Sequence, residues 1–102
     1  EILFKGMTTH WEGKSPSGIE GEENPTIALT EGETYTIGWD EGDGQPHNFQ
    51  IRNGSDEVVG DYTTDTTPDP GEAQVYEIEV TSEMAAYRCM PHPNMEGTIE
   101  VQ

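Results

Sequence analysis

From Thr26 onward the apolar residues of this chain recur at every second position, and that period admits few folds. Ile27 and Leu29 share one face of a short segment, and Tyr35, Ile37 and Trp39 share one face of the next. His47, Phe49 and Ile51 follow, then Tyr76, Ile78 and Val80, then Ala85, Tyr87 and Cys89, and last Gly97, Ile99 and Val101. A period of two is that of a half-buried strand, whose successive side chains point to opposite faces. Turn residues separate the runs, as in Glu31-Gly32-Glu33, Glu41-Gly42-Asp43-Gly44 and the polar stretch 61–71. Val58-Val59 reads as a further short strand, and residues 81–84 as a single turn. No segment carries a convincing helical period. Short strands with turns every roughly 8–12 residues predict an all-β antiparallel sandwich or barrel. Residues 1–25 read as a loop-rich part of the same domain, with residues 2–4 and Ile19 as edge strands; residues 26–102 form its core.

Composition alone argues the other way. Leu, Ile, Val and Phe number only 16 of 102 residues and the net charge is −17, a combination typical of disorder. Alternation outweighs it, because the few apolar residues are placed where strands need them, and a metal bound only by the folded chain would add its binding energy to folding. The 21 acids face Lys5, Lys14, Arg52 and Arg88 alone, and they are dispersed over turns and over the outer face at Glu77 and Glu79. Such dispersal makes a solvated acidic coat, adapted to high salt, where self-repulsion is screened. The same acids suit a basic protein partner. Nucleic acid is excluded as a partner, since phosphate binding needs a basic footprint. One cysteine excludes an internal disulfide and paired-thiol redox chemistry. No stretch is long enough for a membrane span, and residues 1–6 are too short an apolar run for a signal peptide. Any export signal or membrane anchor is expected outside the chain.

Register gives the alternation a chemical consequence. His47 lies two residues from Phe49 and four from Ile51, so it points to the core side of its strand, and Cys89 points inward for the same reason beside Tyr87 and Ala85. Both are strand-terminal, which puts them on the interior rim of one core. His92 and Met95 follow Cys89 at three-residue spacings, in Cys89-Met90-Pro91-His92-Pro93-Asn94-Met95. Singly, Cys89 reads as a small buried hydrophobe, His47 as a hydrogen-bonded rim histidine and Met95 as core filling. Together a thiolate, two imidazoles and a thioether are the donor set of a mononuclear electron-transfer copper. Zinc has no use for the methionine. Met90 is a poorer axial candidate than Met95, because adjacency to Cys89 strains a chelate ring. Asn48, directly after His47, is placed to cross-link the two ligand segments. Pro46, Pro91 and Pro93 lack N–H groups, which limits hydrogen bonds to the thiolate and stiffens the loops. His10 has no spacing that joins it to the others and reads as structural, as do Met7 and Met84. A Cys/His nucleophile pair would need neither Met95 nor His47.

At these residues the chain resembles the cupredoxin family of small blue copper proteins. Residues 87–97 resemble a ligand loop of the amicyanin type, with two residues between His92 and Met95, and Pro46-His47-Asn48-Phe49 resembles the first-histidine motif. The acidic surface and Asn24-Pro25-Thr26-Ile27-Ala28-Leu29 are similar to the halocyanin kind. The likeness, over residues 26–101, implies a Greek-key β-sandwich of seven or eight strands holding one type 1 copper ion, with His47, Cys89 and His92 equatorial and Met95 axial. It implies protein redox partners docking at the His92 edge, framed by Pro46, Met90, Pro91 and Pro93. One departure stands out: family members commonly carry Ser or Thr after the cysteine, where the hydroxyl meets the asparagine. Here Met90 takes that place, so Asn48 is expected to bond backbone or water. The function implied is electron transfer, not enzymatic conversion, by a monomer outside the cytoplasmic membrane of a salt-adapted cell. The alternatives are a cupredoxin domain of a larger redox enzyme or membrane complex, and a copper-storage or chaperone module.

Overall fold

The computed structural model describes residues 1–102 and contains eight strands. They are β1 (Ile2–Met7), β2 (His10–Ser15), β3 (Ile27–Leu29), β4 (Thr34–Gly42), β5 (Gln50–Asn53), β6 (Val75–Glu79), β7 (Met84–Arg88) and β8 (Glu96–Val101). Two four-stranded sheets, ordered β2-β1-β4-β6 and β3-β8-β7-β5, form a Greek-key β-sandwich. Only two single 3-10 turns, Ser17–Ile19 and Glu72–Gln74, interrupt the all-β chain.

The alternation read from the sequence is the alternation of burial. Ile27 and Leu29 are buried on either side of exposed Ala28, and Gly97 and Ile99 are buried between exposed Glu96, Thr98 and Glu100. Glu77 and Glu79 flank buried Ile78. Tyr87 is fully buried and its hydroxyl donates to the Pro25 carbonyl. That ring fills the space a side chain at position 97 would need, since a Cβ on Gly97 would fall 2.1 Å from the Tyr87 ring.

Three expectations need correction. The sandwich is not wholly antiparallel: β1 pairs parallel with β4, and β3 parallel with β8. Both parallel pairs join strands far apart in sequence, as parallel pairing requires a crossover. Residues 2–4 are not an edge strand. β1 lies between β2 and β4, with Phe4 opposite Trp39, and Phe4 and Trp11 are wholly buried; Ile19 belongs to a 3-10 turn. The pairing that makes β1 internal reaches some 35 residues along the chain, beyond any local pattern. Val58-Val59 forms no strand; Val58 makes one isolated bridge to Arg52 while Val59 fills the core. The Asn53 side chain accepts from the amides of Ser55 and Glu57, closing a turn too tight for further pairing.

The loop between β5 and β6 is tied down by side chains in place of a ladder. Phe49 N–H donates to Thr64 Oγ1 at 2.8 Å, and the Thr64 hydroxyl donates in turn to Gln74 Oε1 at 2.6 Å. Trp39 Nε1 donates to the same Gln74 oxygen at 2.7 Å, so a buried glutamine joins both sheets to the loop. Satisfied buried networks of this kind fix a single arrangement. They hold one end of the sandwich rigid, the end where His47 and Cys89 lie.

Candidate metal centre

His47 and Cys89 lie just outside regular strands, His47 three residues before β5 and Cys89 one residue after β7. Both are wholly buried. His47 is fixed by a two-way backbone bridge with Thr67, at 3.0 Å in each direction. β5 and β7 pair with Gln50 opposite Arg88, which brings the two rim residues side by side. After Cys89 the chain turns back on itself. Met95 N–H donates to the His92 carbonyl at 2.9 Å, and Cys89 N–H donates to the Met95 carbonyl at 3.0 Å, so the loop closes as a short clip before β8. His92 is partly exposed on this clip and Met95 is fully buried.

Three donor atoms converge. His47 Nδ1 and His92 Nδ1 are 3.2 Å apart, and Cys89 Sγ lies 3.8 Å from the first and 3.7 Å from the second. Metal–nitrogen bonds of about 2.0–2.1 Å and metal–sulfur bonds of about 2.3 Å let one ion reach all three atoms at once. No other group of three His, Cys, Asp or Glu side chains in the chain offers such a cluster. Burial pushes the Cys89 thiol up; backbone hydrogen bonds from Asn48 and His92 and the charge of Arg88 oppose it. A bound cation reverses that preference, because a coordinating thiol is deprotonated outright.

The residues around the cluster are equally defined. Asn48 is buried, and its Oδ1 accepts the Met90 N–H at 2.7 Å, so it bonds backbone, as the missing hydroxyl at position 90 requires. Pro91 is exposed on the clip, and Met90, 54% exposed, is the one large apolar side chain left open to solvent. His10 stands apart, against Thr9 Oγ1 and Glu23.

Two residues of the site stand outside the ligand motif. Asp43, one acid of the glycine-rich turn 41–44, accepts from His47 Nε2 at 2.8 Å. Its signal was its place four residues before a candidate ligand in a glycine-rich turn, a spacing that brings a carboxylate back onto a ring. Burial pushes the Asp43 carboxyl up, yet the donors His47, Thr8 and the Gln45 amide outweigh it and hold it well below the usual carboxylate range. Asn24 is the second. With φ at +45°, it accepts the Trp11 N–H on Oδ1 and donates from Nδ2 to the Asn94 carbonyl, pinning β2 to the clip.

Residues 22–102 match the family model for copper binding proteins of the plastocyanin/azurin family. The chain belongs to that family. Among solved structures, this plastocyanin/azurin-type chain is similar to rusticyanin from Thiobacillus ferrooxidans, at 20% identity and a TM-score of 0.62, covering 99% of this chain and 75% of that one. It is also similar to a purple cupredoxin from Nitrosopumilus maritimus, at 20% identity and a TM-score of 0.56 over the whole of both chains. A Cu(I) amicyanin variant shares 23% identity with a TM-score of 0.52, over 99% of this chain and 81% of that one. No curated protein sequence matches significantly. The donor set fits the copper such a family binds: two imidazole nitrogens and one thiolate within 3.8 Å, with a buried methionine closing the same clip.

Proposed function

We propose that this chain is a single-electron carrier built on one type 1 copper ion, which His47, Cys89, His92 and Met95 would hold. The observation that carries the reading is the convergence of His47 Nδ1, Cys89 Sγ and His92 Nδ1 within 3.8 Å, from two segments 42 residues apart in sequence. Copper supplies the one-electron Cu(II)/Cu(I) couple. The protein's part is to hold the donors still. The clip bonds, the Asn48–Met90 bond and the Thr67 bridge restrain each ligand segment, and Pro91 and Pro93 remove amides that would compete for the sulfur. A site that does not rearrange between oxidation states exchanges electrons with little reorganisation.

His92 is the candidate ligand that reaches the surface, and exposed Pro46, Met90, Pro91 and Pro93 surround it. This small apolar edge is the proposed docking face for protein redox partners, with electrons passing through the His92 ring. Residues 1–25 and 26–102 act as one unit, since Trp11, Asn24 and Thr8 contact the walls of the site. The carrier is a monomer, works outside the cytoplasmic membrane and serves a salt-adapted cell. The acidic coat supports the last point, and no helix is long and apolar enough to cross a membrane. Protein-film voltammetry at high salt tests the function: a reversible one-electron wave at one copper per chain is expected. Copper retained only as Cu(I), with no reversible wave, would support a storage module instead.

A further inference from the structure

We infer that Asp43 is a positioning residue for the copper site, which fixes the tautomer of His47 and lowers the reduction potential by placing a negative charge against a buried ligand. The inference rests on the copper reading above. Nothing else at the site has this arrangement: His92 Nδ1 faces the cluster without a carboxylate behind it, whereas the His47 ring is held at both nitrogens.

The ring of His47 has little freedom. Trp39 meets it edge-on, with centroids 5.4 Å apart at 85°, and Trp11 packs at 6.1 Å. On the third side is Gly6, where a Cβ would sit 2.9 Å from His47 Cδ2. This box restrains the plane of the ring and leaves open which nitrogen carries the proton. The hydrogen bond at one nitrogen decides the state of the other. Because a carboxylate only accepts, Asp43 Oδ1 at 2.8 Å places the proton on Nε2 and leaves the Nδ1 lone pair directed toward Cys89 and His92.

Asp43 is itself built in. Its Oδ2 accepts both the N–H and the hydroxyl of Thr8 at 2.7 Å, and its Oδ1 also accepts the Gln45 N–H at 3.2 Å. Thr8 sits in the turn between β1 and β2, so the N-terminal hairpin holds the carboxylate that holds the histidine. Its side chain is 20% exposed, so solvent screens it only partly. A carboxylate on the far nitrogen makes a ligand imidazole more basic. More electron density and a nearby negative charge both favour the more highly charged Cu(II), and favouring Cu(II) lowers the potential.

Two variants separate charge from position. Asp43→Asn keeps the size and an oxygen for His47 Nε2–H but removes the charge. The ratio of Cu(I) to Cu(II) affinity should rise about tenfold, which is an increase in potential of about 59 mV for one electron. Asp43→Ala removes the acceptor too, and Cu(II) affinity should fall about 10–100-fold. Long-range proton–nitrogen NMR of the metal-free protein reads the tautomer directly. Wild type and Asp43→Asn should hold His47 with its proton on Nε2, and Asp43→Ala should lose that single form while its amide spectrum stays dispersed. An unchanged potential in Asp43→Asn, or an unchanged His47 tautomer in Asp43→Ala, would overturn the inference. A wild type that fails to bind copper would defeat the electron-carrier reading, and the NMR result would still decide the positioning of His47.

Discussion

The backbone N–H of Met90 donates to Asn48 Oδ1 across 2.7 Å and so stitches together the two segments that bring His47 and Cys89 to one place. Asn48 is buried, and this bond spans 42 residues of sequence. Replacing Asn48 with Ala orphans the Met90 amide and frees the clip from the β5 side. Loss of about 1–3 kcal/mol of stability is expected, with Cu(II) affinity about 10–100-fold lower. Denaturant unfolding and competition with a copper chelator measure the two effects separately.

Phe4 belongs to the centre of the molecule although it lies four residues from the start of the chain. It stacks on Tyr87 with centroids 4.6 Å apart and on Phe49 at 5.7 Å, bridging the two sheets. Phe4→Ala should cost about 3–5 kcal/mol, a large fraction of what a domain of this size possesses. A variant that unfolds within 1 kcal/mol of wild type, to about the precision of such a measurement, would show that the N-terminal hairpin is peripheral after all.

Burial raises the Tyr87 and Tyr76 hydroxyls above their ordinary value of 10.0. The folded state therefore favours the neutral phenol, and this contribution is complete below pH 10 and is lost as pH rises toward the folded values. Stability should fall with pH above about 10, and less steeply in Tyr87→Phe. The same variant loses the bond to the buried Pro25 carbonyl, which lowers stability at neutral pH by about 1–3 kcal/mol. Unfolding curves from pH 7 to 11 read both.

The four cations engage only a few of the acids: Lys5 and Lys14 contact Glu41 or Asp40, and Arg52 and Arg88 converge on Asp56. Most of the 21 acids repel one another. Raising salt from 0.1 M to 1 M shortens the Debye length from about 10 Å to about 3 Å, so the unfolding midpoint should rise steeply over that range. A flat response would remove the argument for salt adaptation and leave the acids to partner binding.

The strands and the donor cluster were legible because both are local facts. Alternation around Phe49 and Tyr87 sets which way His47 and Cys89 point, and His92 and Met95 follow at short spacing. Asn48 was legible for the same reason, down to its need for a backbone partner once Met90 replaced a hydroxyl. What stayed hidden depends on long-range pairing. β1 becomes internal only when it meets β4, and Trp11 enters the core only because β2 follows β1. Asp43 looked like one acid among 21 until Thr8, from that same hairpin, turned its carboxylate onto His47.

A single type 1 site in which Cys89 binds copper together with His47 and His92 is tested by the optical spectrum on adding Cu(II) to the metal-free protein. An intense visible thiolate-to-copper charge-transfer band, saturating at one equivalent and absent in Cys89→Ser, is the predicted result. A Cu(II) complex that shows no such band, or one that persists in folded Cys89→Ser, would contradict it.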